Sequence, residues 1–475
     1  MTNTGADADR VAATLDPGSF RDPTAQVLIA GGHVYRGLGA EALEAYEAVA
    51  RTEFFPSLLA EGLVVATEKV SDPGSVASGW TGMLRHERVP VISYPYEWPF
   101  EMLRDAALLQ LEVTRRALAE GFITKDATSY NVQFDGARPV FIDVGSFERL
   151  RSGSPWDGYR QFCETFLNPL VLQAVGGVRF HPWMRGSLDG IRPSEAASFI
   201  TGRHRLNRRL AVHVLLHARA ESRYGDADKA RDVGGELARA GMGPKVLSAQ
   251  VDNLTRTVQG LRWKAQSSTW SDYSDRSHYS DSDLATKEEF VARAVQDLEP
   301  AKVLDLGAND GHFSKLALTH GAARVVAVDS DHLVVDRLYR HLRETSETRI
   351  LPLVMDLADP STGIGWRGRE RPGFTDRVRP DLVLCLAVVH HLALTNTVPL
   401  SMVVDLLADF SAPVVVEFPH RDDQMAARLL ARKRSGLFDH YDKPQWEAEL
   451  RRRFDVTETV TTPSGTRTLY RCTPR

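Results

Sequence analysis

The sequence predicts an α/β protein whose C-terminal part is a mainly parallel sheet covered by helices, preceded by an α+β region with a helical extension. Beyond residue 300, short apolar segments alternate with helical patterns, which is typical of a parallel sheet with helices on both faces. Some of these segments, such as Leu382–Val388, are continuously apolar, as strands buried on both faces are. Before residue 150 the pattern differs, because hairpin signals flank a long amphipathic helix over Phe100–Glu120.

Length and composition restrict the class of protein. The chain has 475 residues, of which 43% are hydrophobic and 25% charged, the values of a globular protein with several domains. The net charge of −4 lacks the basic excess of most nucleic-acid-binding proteins, so we expect no such partner. No apolar run is long enough to cross a membrane, and the first twenty residues lack the apolar core of a signal peptide. We therefore expect a cytoplasmic protein without a membrane partner.

The three cysteines, Cys163, Cys385 and Cys472, lie far apart in the sequence. This spacing suits neither a disulfide framework nor a zinc site, and we expect no metal. Cys385 lies within an apolar segment, which favours a place in the core over a role as a nucleophile.

Changes in pattern predict the domain boundaries. Residues 1–24 are expected to be a loose leader, residues 25–265 an α+β and helical domain, and residues 266–475 the domain with the parallel sheet. The α+β domain is predicted to contain two strands over Gln26–Leu38 around Gly31-Gly32, a helix over Ala40–Ala50, strands over Glu61–Val70 and Pro90–Pro95, the helix over Phe100–Glu120 ended by Gly121, and a hairpin turned by Asp135-Gly136. From Glu195 to Lys264 the pattern is helical.

The C-terminal domain has the most regular alternation. Its predicted strands are Lys302–Leu306, Arg324–Asp329, Arg349–Asp356, Leu382–Val388, Pro413–Phe418, Asp455–Thr461 and Thr466–Cys472. Its predicted helices are His312–His320, His332–Glu344, Ser401–Phe410 and Gln424–Arg434.

The sharpest local signal is the turn after the first of these strands. Asp305 lies near the end of the strand, and Gly307, Asn309 and Gly311 follow in a turn that leads into a helix. Glycine and, after it, asparagine accept the left-handed backbone of so tight a turn, and glycine lets a ligand approach the backbone. The pattern predicts a nucleoside-type ligand at the carboxyl ends of the strands.

Three acidic residues indicate which ligand this is. Asp329, at the end of the second strand, can accept hydrogen bonds from both hydroxyls of a ribose. Asp356, at the end of the third, can accept the adenine amino group while Met355 packs on the ring. Asp305 would repel a pyrophosphate but hold an ammonium group, and a G-x-G-x-x-G turn is missing. These residues fit a ligand with adenine, ribose and an amino-acid cation but no phosphates, which is S-adenosylmethionine (SAM).

Residues 300–475 resemble a class I SAM-dependent methyltransferase in the acid–glycine turn, in Asp329, in Met355-Asp356 and in the final hairpin. The resemblance implies a Rossmann-like sheet of seven strands with an antiparallel seventh strand. It also implies SAM contacts from the turn and from residues beside the strand ends, here Gly307, Asn309, Gly311, Phe313, Ser330 and Leu386. Asn309 replaces the usual middle glycine. The alternative is a Rossmann-like domain with an inactive site.

Candidate catalytic residues follow the fourth and fifth strands. They are His390, His391 and Glu417. In the family that this domain resembles, these strand ends face the methyl group and the acceptor, where a histidine can take a proton from an attacking hydroxyl. The alternatives are a histidine that only lines the pocket or caps a helix, and a solvated turn at Glu417. The Asn/Asp-Pro-Pro-aromatic motif of amino-group DNA methyltransferases is missing, and we expect a small-molecule acceptor such as a sugar or natural-product hydroxyl.

The segment before the first strand of this domain is rich in serine and aspartate but carries three aromatic residues, Trp270, Tyr273 and Tyr279. A flexible linker seldom contains them. They predict a lid or entrance wall over the SAM pocket.

A second motif lies in the N-terminal domain. Asp126 and Asn131 precede the hairpin turned by Asp135-Gly136, and Asp143 follows it. In kinase-type phosphotransferases one aspartate accepts the substrate proton, and an asparagine and a second aspartate hold the metal ions on ATP. The region therefore resembles a kinase. It lacks the glycine-rich phosphate loop, which favours a degenerate nucleotide site.

As a whole, residues 25–475 resemble the bacterial nodulation-protein type of SAM-dependent methyltransferase, most specifically over Lys125–Glu148 and Val303–Gly311. The resemblance implies methyl transfer from SAM to a small-molecule acceptor. The alternative is a kinase-like phosphotransferase or pseudokinase binding module with a regulatory methyltransferase half.

Overall fold

The computed structural model describes residues 13–71, 79–151, 153–200, 202, 207–219, 243–264 and 281–475. An antiparallel sheet of five strands comes first. Its strands are β1 (Thr14–Leu15), β2 (Ala25–Ala30), β3 (His33–Leu38), β4 (Thr67–Lys69) and β5 (Gly82–His86), in the order β1-β2-β3-β5-β4. Because β1 pairs with β2, Thr14 and Leu15 of the expected loose leader instead form the edge of this sheet.

The helix predicted over Ala40–Ala50 is confirmed, but two predicted strands differ. Glu61–Val70 is a strand only over Thr67–Lys69, after an unpredicted helix over Phe54–Ala60. Pro90–Pro95 forms no strand, since its prolines lack the N–H group that a sheet requires. The unpredicted strand β5 pairs with β3 instead.

A helix over Phe100–Ala119 runs through the core of the N-terminal half, and Gly121, with a φ of 79°, follows its end. Two antiparallel pairs come next: β6 (Phe122–Thr124) with β9 (Phe147–Arg149), and β7 (Val132–Asp135) with β8 (Arg138–Phe141). The helical part comprises Tyr159–Phe162, Cys163–Leu167, Asn168–Ala174, His181–Gly186, Pro193–Phe199, Arg208–Leu210, Ala211–Leu216 and Pro244–Gly260. Single helical turns lie at Pro95–Glu97, Ser129–Asn131 and Val144–Ser146.

The C-terminal half is built on a seven-stranded mixed sheet in the order β12-β11-β10-β13-β14-β16-β15. Its strands are β10 (Lys302–Leu306), β11 (Arg324–Asp329), β12 (Ile350–Val354), β13 (Leu382–Cys385), β14 (Val414–Pro419), β15 (Phe454–Thr461) and β16 (Arg467–Pro474). The strands β10 to β14 are parallel, whereas β16 is antiparallel to both of its neighbours. The predicted mixed α/β architecture is therefore confirmed for this half.

Helices connect these strands and cover the sheet. They are Asp281–Leu298, His312–Thr319, His332–Glu344, Phe374–Arg377, Leu400–Asp409, Gln424–Leu430 and Lys443–Arg453, with single turns at Trp366–Gly368 and His391–Thr395. The helices Asp281–Leu298 and Lys443–Arg453 were not predicted. Strand β13 ends earlier than expected, before Ala387, whose φ of 56° interrupts an extended backbone.

The two halves pack against each other through polar contacts and a continuous apolar core. The Glu101 backbone N–H donates to Asp336 over 2.9 Å, and the Tyr339 hydroxyl donates to Asp105 over 2.8 Å. The boundary predicted near residue 265 lies outside the described residues. Within the described ranges, no helix is long and apolar enough to span a membrane.

Candidate active site

A cavity of about 380 Å³ opens at the carboxyl ends of β10, β11, β12 and β13. Strand β10 lies where the strand order reverses direction, which is where open α/β sheets bind their ligands. Nine of the ten predicted SAM-binding residues line the cavity: Asp305, Gly307, Asn309, Phe313, Asp329, Ser330, Met355, Asp356 and Leu386.

The tenth, Gly311, shapes the turn and does not line the cavity. Gly307, Asn309 and Gly311 all have the predicted left-handed backbone, with φ of 76°, 48° and 75°. A Cβ on Gly307 would lie 2.4 Å from the Val388 side chain, and one on Gly311 2.9 Å from Leu338. The first glycine therefore leaves space beside β13, and the last allows the helix behind the turn to pack closely.

Asp305 is a buried carboxyl group at the floor of the cavity. It is 2% exposed, and it accepts a hydrogen bond from the Ser314 hydroxyl over 2.6 Å. Burial raises the pKa of Asp305 to about 6. A buried carboxylate of this kind is stabilised by a cation that binds beside it.

Asp329 has two functions in the geometry of the cavity. Its carboxylate accepts hydrogen bonds from the backbone N–H groups of Asn309, over 3.0 Å, and Asp331, over 2.9 Å. It thereby fixes the glycine turn to the end of β11 while it lines the cavity. Burial raises the pKa of Asp329.

The two residues after β12 lie at the other end of the cavity. Met355 is buried, and its sulfur accepts from the Ser361 backbone N–H over 3.4 Å. Asp356 is exposed, and its carboxylate accepts from the Ala358 N–H over 2.9 Å.

The two histidines after β13 are placed differently. His391 lines the cavity, whereas His390 is 1% exposed and lies behind it, with the ring centroids 4.0 Å apart. Burial and the nearby Arg467 lower the pKa of His391 to about 4. His391 is therefore neutral at pH 7, the form in which one ring nitrogen is a donor and the other an acceptor.

Glu417 is fully buried in β14 and does not line the cavity, contrary to its expected place on the acceptor side. Its carboxylate pairs with Lys287 over 2.8 Å and with Arg467 over 3.1 Å. Burial opposes the charge of Glu417, but the two cations outweigh it and lower its pKa. The structure thus makes Glu417 the centre of a buried ion cluster.

The sequence analysis missed the contribution of the helix Asp281–Leu298. Leu284 and Lys287 of this helix line the cavity, and the Lys287 ammonium lies 5.2 Å from the centre of the Phe313 ring. Lys287 falls on the apolar stripe that Leu284 and Phe290 form at helical spacing. A lysine within an apolar stripe is the feature of the sequence that could have indicated a functional role for this position.

The N-terminal constellation is also brought together, but its acidic groups have partners within the chain. The Ile142 backbone N–H donates to the Asn131 carbonyl over 2.9 Å, which places Asn131 beside the segment with Asp143. Arg36 of β3 pairs with Asp143 over 3.0 Å. The Gln161 amide donates to Asp126 over 3.1 Å, and burial raises the pKa of Asp126. Arg36 thus places a positive charge where a metal–nucleotide site needs a metal ion.

A full-length curated relative decides the family. Over 476 aligned residues the chain is 34% identical to the nodulation protein NoeA of Rhizobium meliloti (strain 1021), and 98% of each chain is covered. The chain belongs to the NoeA family. The predicted nodulation-protein type is confirmed. No family model matches the chain.

Two solved structures align with less than half of this NoeA-family chain. The PH0226 protein from Pyrococcus horikoshii OT3 is 15% identical, with 43% of this chain and 98% of that chain covered and a TM-score of 0.31. The N-methyltransferase NodS from Bradyrhizobium japonicum WM9, in complex with S-adenosyl-l-homocysteine, is 14% identical, with 42% and 95% covered and a TM-score of 0.31. Function is therefore inferred from the geometry of the cavity.

The donor set in the NoeA-family cavity fits SAM. A buried carboxyl group, Asp305, lies below the turn, a second carboxylate, Asp329, ends the neighbouring strand, and Met355-Asp356 lie beyond it. The aromatic residues expected to form a lid, Trp270, Tyr273 and Tyr279, lie outside the described residues, and their role stays a prediction.

Proposed function

We propose that this NoeA-family protein transfers the methyl group of SAM to a hydroxyl group of a small-molecule acceptor, such as a sugar or a natural product. The observation that carries the proposal is the placement of Asp305, Asp329 and Asp356 around one cavity that His391 also lines. When bound, SAM supplies a methyl group on a sulfonium, which a nucleophile takes by direct displacement.

Each acidic residue has one part of the cofactor to hold. Asp305 would pair with the ammonium group. Binding would be favourable because the ammonium group compensates the charge of the buried carboxylate. Asp329 would accept the ribose hydroxyls with the side of its carboxylate that faces the cavity. Asp356 would accept the adenine amino group, and the buried Met355 would pack against the ring.

The acceptor side of the cavity is formed by His391, Leu392, Thr395 and Asn396 on one wall and by Leu284 on another. With a pKa of about 4, His391 is a weak base, so its main contribution is to accept a hydrogen bond from the acceptor hydroxyl and hold it in line. The hydroxyl proton then leaves to solvent as the methyl group is transferred and the sulfonium becomes a thioether. A sulfonium is a good leaving group, and positioning of this kind provides much of the rate enhancement.

The phosphotransferase alternative gains no support from the family relation, and the pairing of Arg36 with Asp143 disfavours it. We propose instead that the N-terminal half is a kinase-like scaffold that does not use ATP.

Transfer of a labelled methyl group tests the proposed function. The full-length chain is incubated with methyl-labelled SAM and a panel of neutral saccharides and phenolic natural products, and label is sought in low-molecular-mass products. We expect Asp305→Asn to abolish the transfer and Asp439→Asn, at an exposed site, to retain it. Label that appears equally with Asp305→Asn would contradict the proposal.

A further inference from the structure

We propose that a second cleft, in the N-terminal half, binds a neutral carbohydrate chain. The cleft has a volume of about 1040 Å³, more than twice that of the cofactor cavity. Its walls come from the helical part, the turn at Thr128–Tyr130 and the C-terminal residues Glu370 and Arg371. The two cavities share no lining residue. The size is at the upper end for small-molecule sites and suits an extended ligand.

The charges of this cleft balance. Four arginines and four carboxylates line it. Arg21 binds Glu370 through two hydrogen bonds of 2.8 Å, and Arg160 binds Glu164 over 2.9 Å. A site with no net charge has no long-range field that would attract a phosphate or another anion. Its ligand is therefore expected to be uncharged.

The cleft combines planar polar groups with aromatic surface. Trp183 lines the cleft while its ring packs edge-on to Phe199, with centroids 5.5 Å apart. The Arg371 guanidinium lies 4.8 Å from the centre of the Tyr130 ring. Sugar rings pack their C–H faces on aromatic rings, and their neighbouring hydroxyls match paired carboxylates and guanidinium groups. A polyhydroxylated, uncharged ligand uses both kinds of surface.

The polar floor of the cleft is held rigidly. Gln161 lines the cleft, its amide N–H donates to Asp126, and its carbonyl accepts from the Ala127 backbone N–H over 2.9 Å. Preorganised polar groups of this kind raise affinity because they lose little freedom on binding. Asp126, one of the residues that would serve a nucleotide site in a kinase, thus supports the floor of a different site.

Binding to this cleft does not depend on methyl transfer. Any role of the cleft in supplying a saccharide to the cofactor cavity rests on the proposed function, but the binding is measured without SAM.

The test uses the full-length chain and defined saccharides. Cellotetraose, maltotetraose and tetra-N-acetylchitotetraose are compared with trigalacturonic acid and inorganic phosphate by saturation-transfer NMR and calorimetry. We expect at least one neutral tetrasaccharide to bind with millimolar or better affinity, independently of salt. Trp183→Ala should weaken this binding about tenfold or more, and Asp189→Ala, at an exposed residue of the cleft wall, should weaken it roughly threefold to tenfold.

Trp366→Ala is the matched control, because Trp366 is 65% exposed and does not line the cleft. Unchanged affinity in this variant and unchanged thermal unfolding in Asp189→Ala support the assignment. Failure of all neutral saccharides to bind, tighter binding of phosphate or trigalacturonate, or wild-type affinity in both Trp183→Ala and Asp189→Ala would overturn it. Saccharide binding by a chain that does not bind SAM would contradict the proposed function alone, and the reverse result would contradict this inference alone.

Discussion

The two acidic constellations of this protein differ in whether their carboxylates are open to a ligand. In the C-terminal cavity, Asp305, Asp329 and Asp356 all line the open space. In the N-terminal half, Asp143 is paired with Arg36 and Asp126 is bound by Gln161. Motif spacing predicted both groups, and the missing glycine-rich loop favoured a degenerate site in the N-terminal half. The tertiary contacts show that the first group lines a cavity and that Asp126 and Asp143 are held by other residues of the chain.

The largest expected effect tests the ion cluster behind the C-terminal cavity. Lys287 and Glu417 are 2% and 0% exposed at their side chains, so Lys287→Ala leaves a buried carboxylate with one cation fewer. We expect the free energy of unfolding to fall by about 3–5 kcal/mol, measured by urea denaturation. Lys69→Ala is the control, because Lys69 and Glu47 are 49% and 36% exposed, and an ion pair that solvent screens contributes little to stability. Equal losses in both variants would contradict the cluster's role.

This cluster also shows what the sequence could not reveal. The strands and the acid–glycine turn depend on local patterns, so β10, β11 and the nine cavity-lining residues were predictable. Lys287 and Glu417 are 130 residues apart, and no local pattern links them. The family resemblance placed Glu417 on the acceptor side, after the fifth strand, but the residue lies within β14 and pairs with Lys287 and Arg467. Likewise, Arg36 and Asp143 meet only through the tertiary fold.

The second expected effect concerns His391. Its replacement by alanine removes the group that orients the acceptor, and we expect turnover to fall roughly a hundredfold once an acceptor is in hand. His440→Ala, at an exposed histidine, should leave turnover unchanged. Because the pKa of His391 is lowered to about 4, the turnover of the wild type at saturating SAM should be flat between about pH 6 and pH 8. A histidine step near pH 6.5 that disappears in His391→Ala would contradict this placement.

The third expected effect is a pH dependence of SAM binding. Burial raises the pKa of Asp305 to about 6, so the carboxyl group is mostly ionised at pH 7 and mostly protonated at pH 5. An ammonium group binds the ionised form. The affinity for SAM should therefore fall roughly tenfold from pH 7 to pH 5, as followed by calorimetry. Asp305→Asn should bind more weakly and lose most of this pH dependence, and a variant that keeps it would assign the titration to another group.

The smallest expected effect comes from the N-terminal constellation. Since Arg36 holds Asp143, we expect ATP and Mg²⁺ to change methyl transfer by no more than about twofold, and Asp143→Asn to retain SAM binding and activity. The measurement is turnover with and without nucleotide. If turnover requires ATP, and Asp143→Asn is inactive although it folds and binds SAM, the N-terminal constellation is functional too. That result would contradict the proposed difference between the two groups of carboxylates.

Calorimetry with SAM on the wild type and on Asp329→Asn tests the central claim most directly. The variant keeps an oxygen that can accept from the Asn309 N–H, but it removes the second oxygen, which accepts from the Asp331 N–H, and the charge that faces the cavity. Loss of a hydrogen bond to a charged group costs about 1.5–3 kcal/mol, so we predict roughly tenfold to hundredfold weaker binding, while Asp439→Asn binds as the wild type does. Equal affinity in Asp329→Asn and the wild type, or no SAM binding by the wild type, would contradict the assignment of this cavity to SAM.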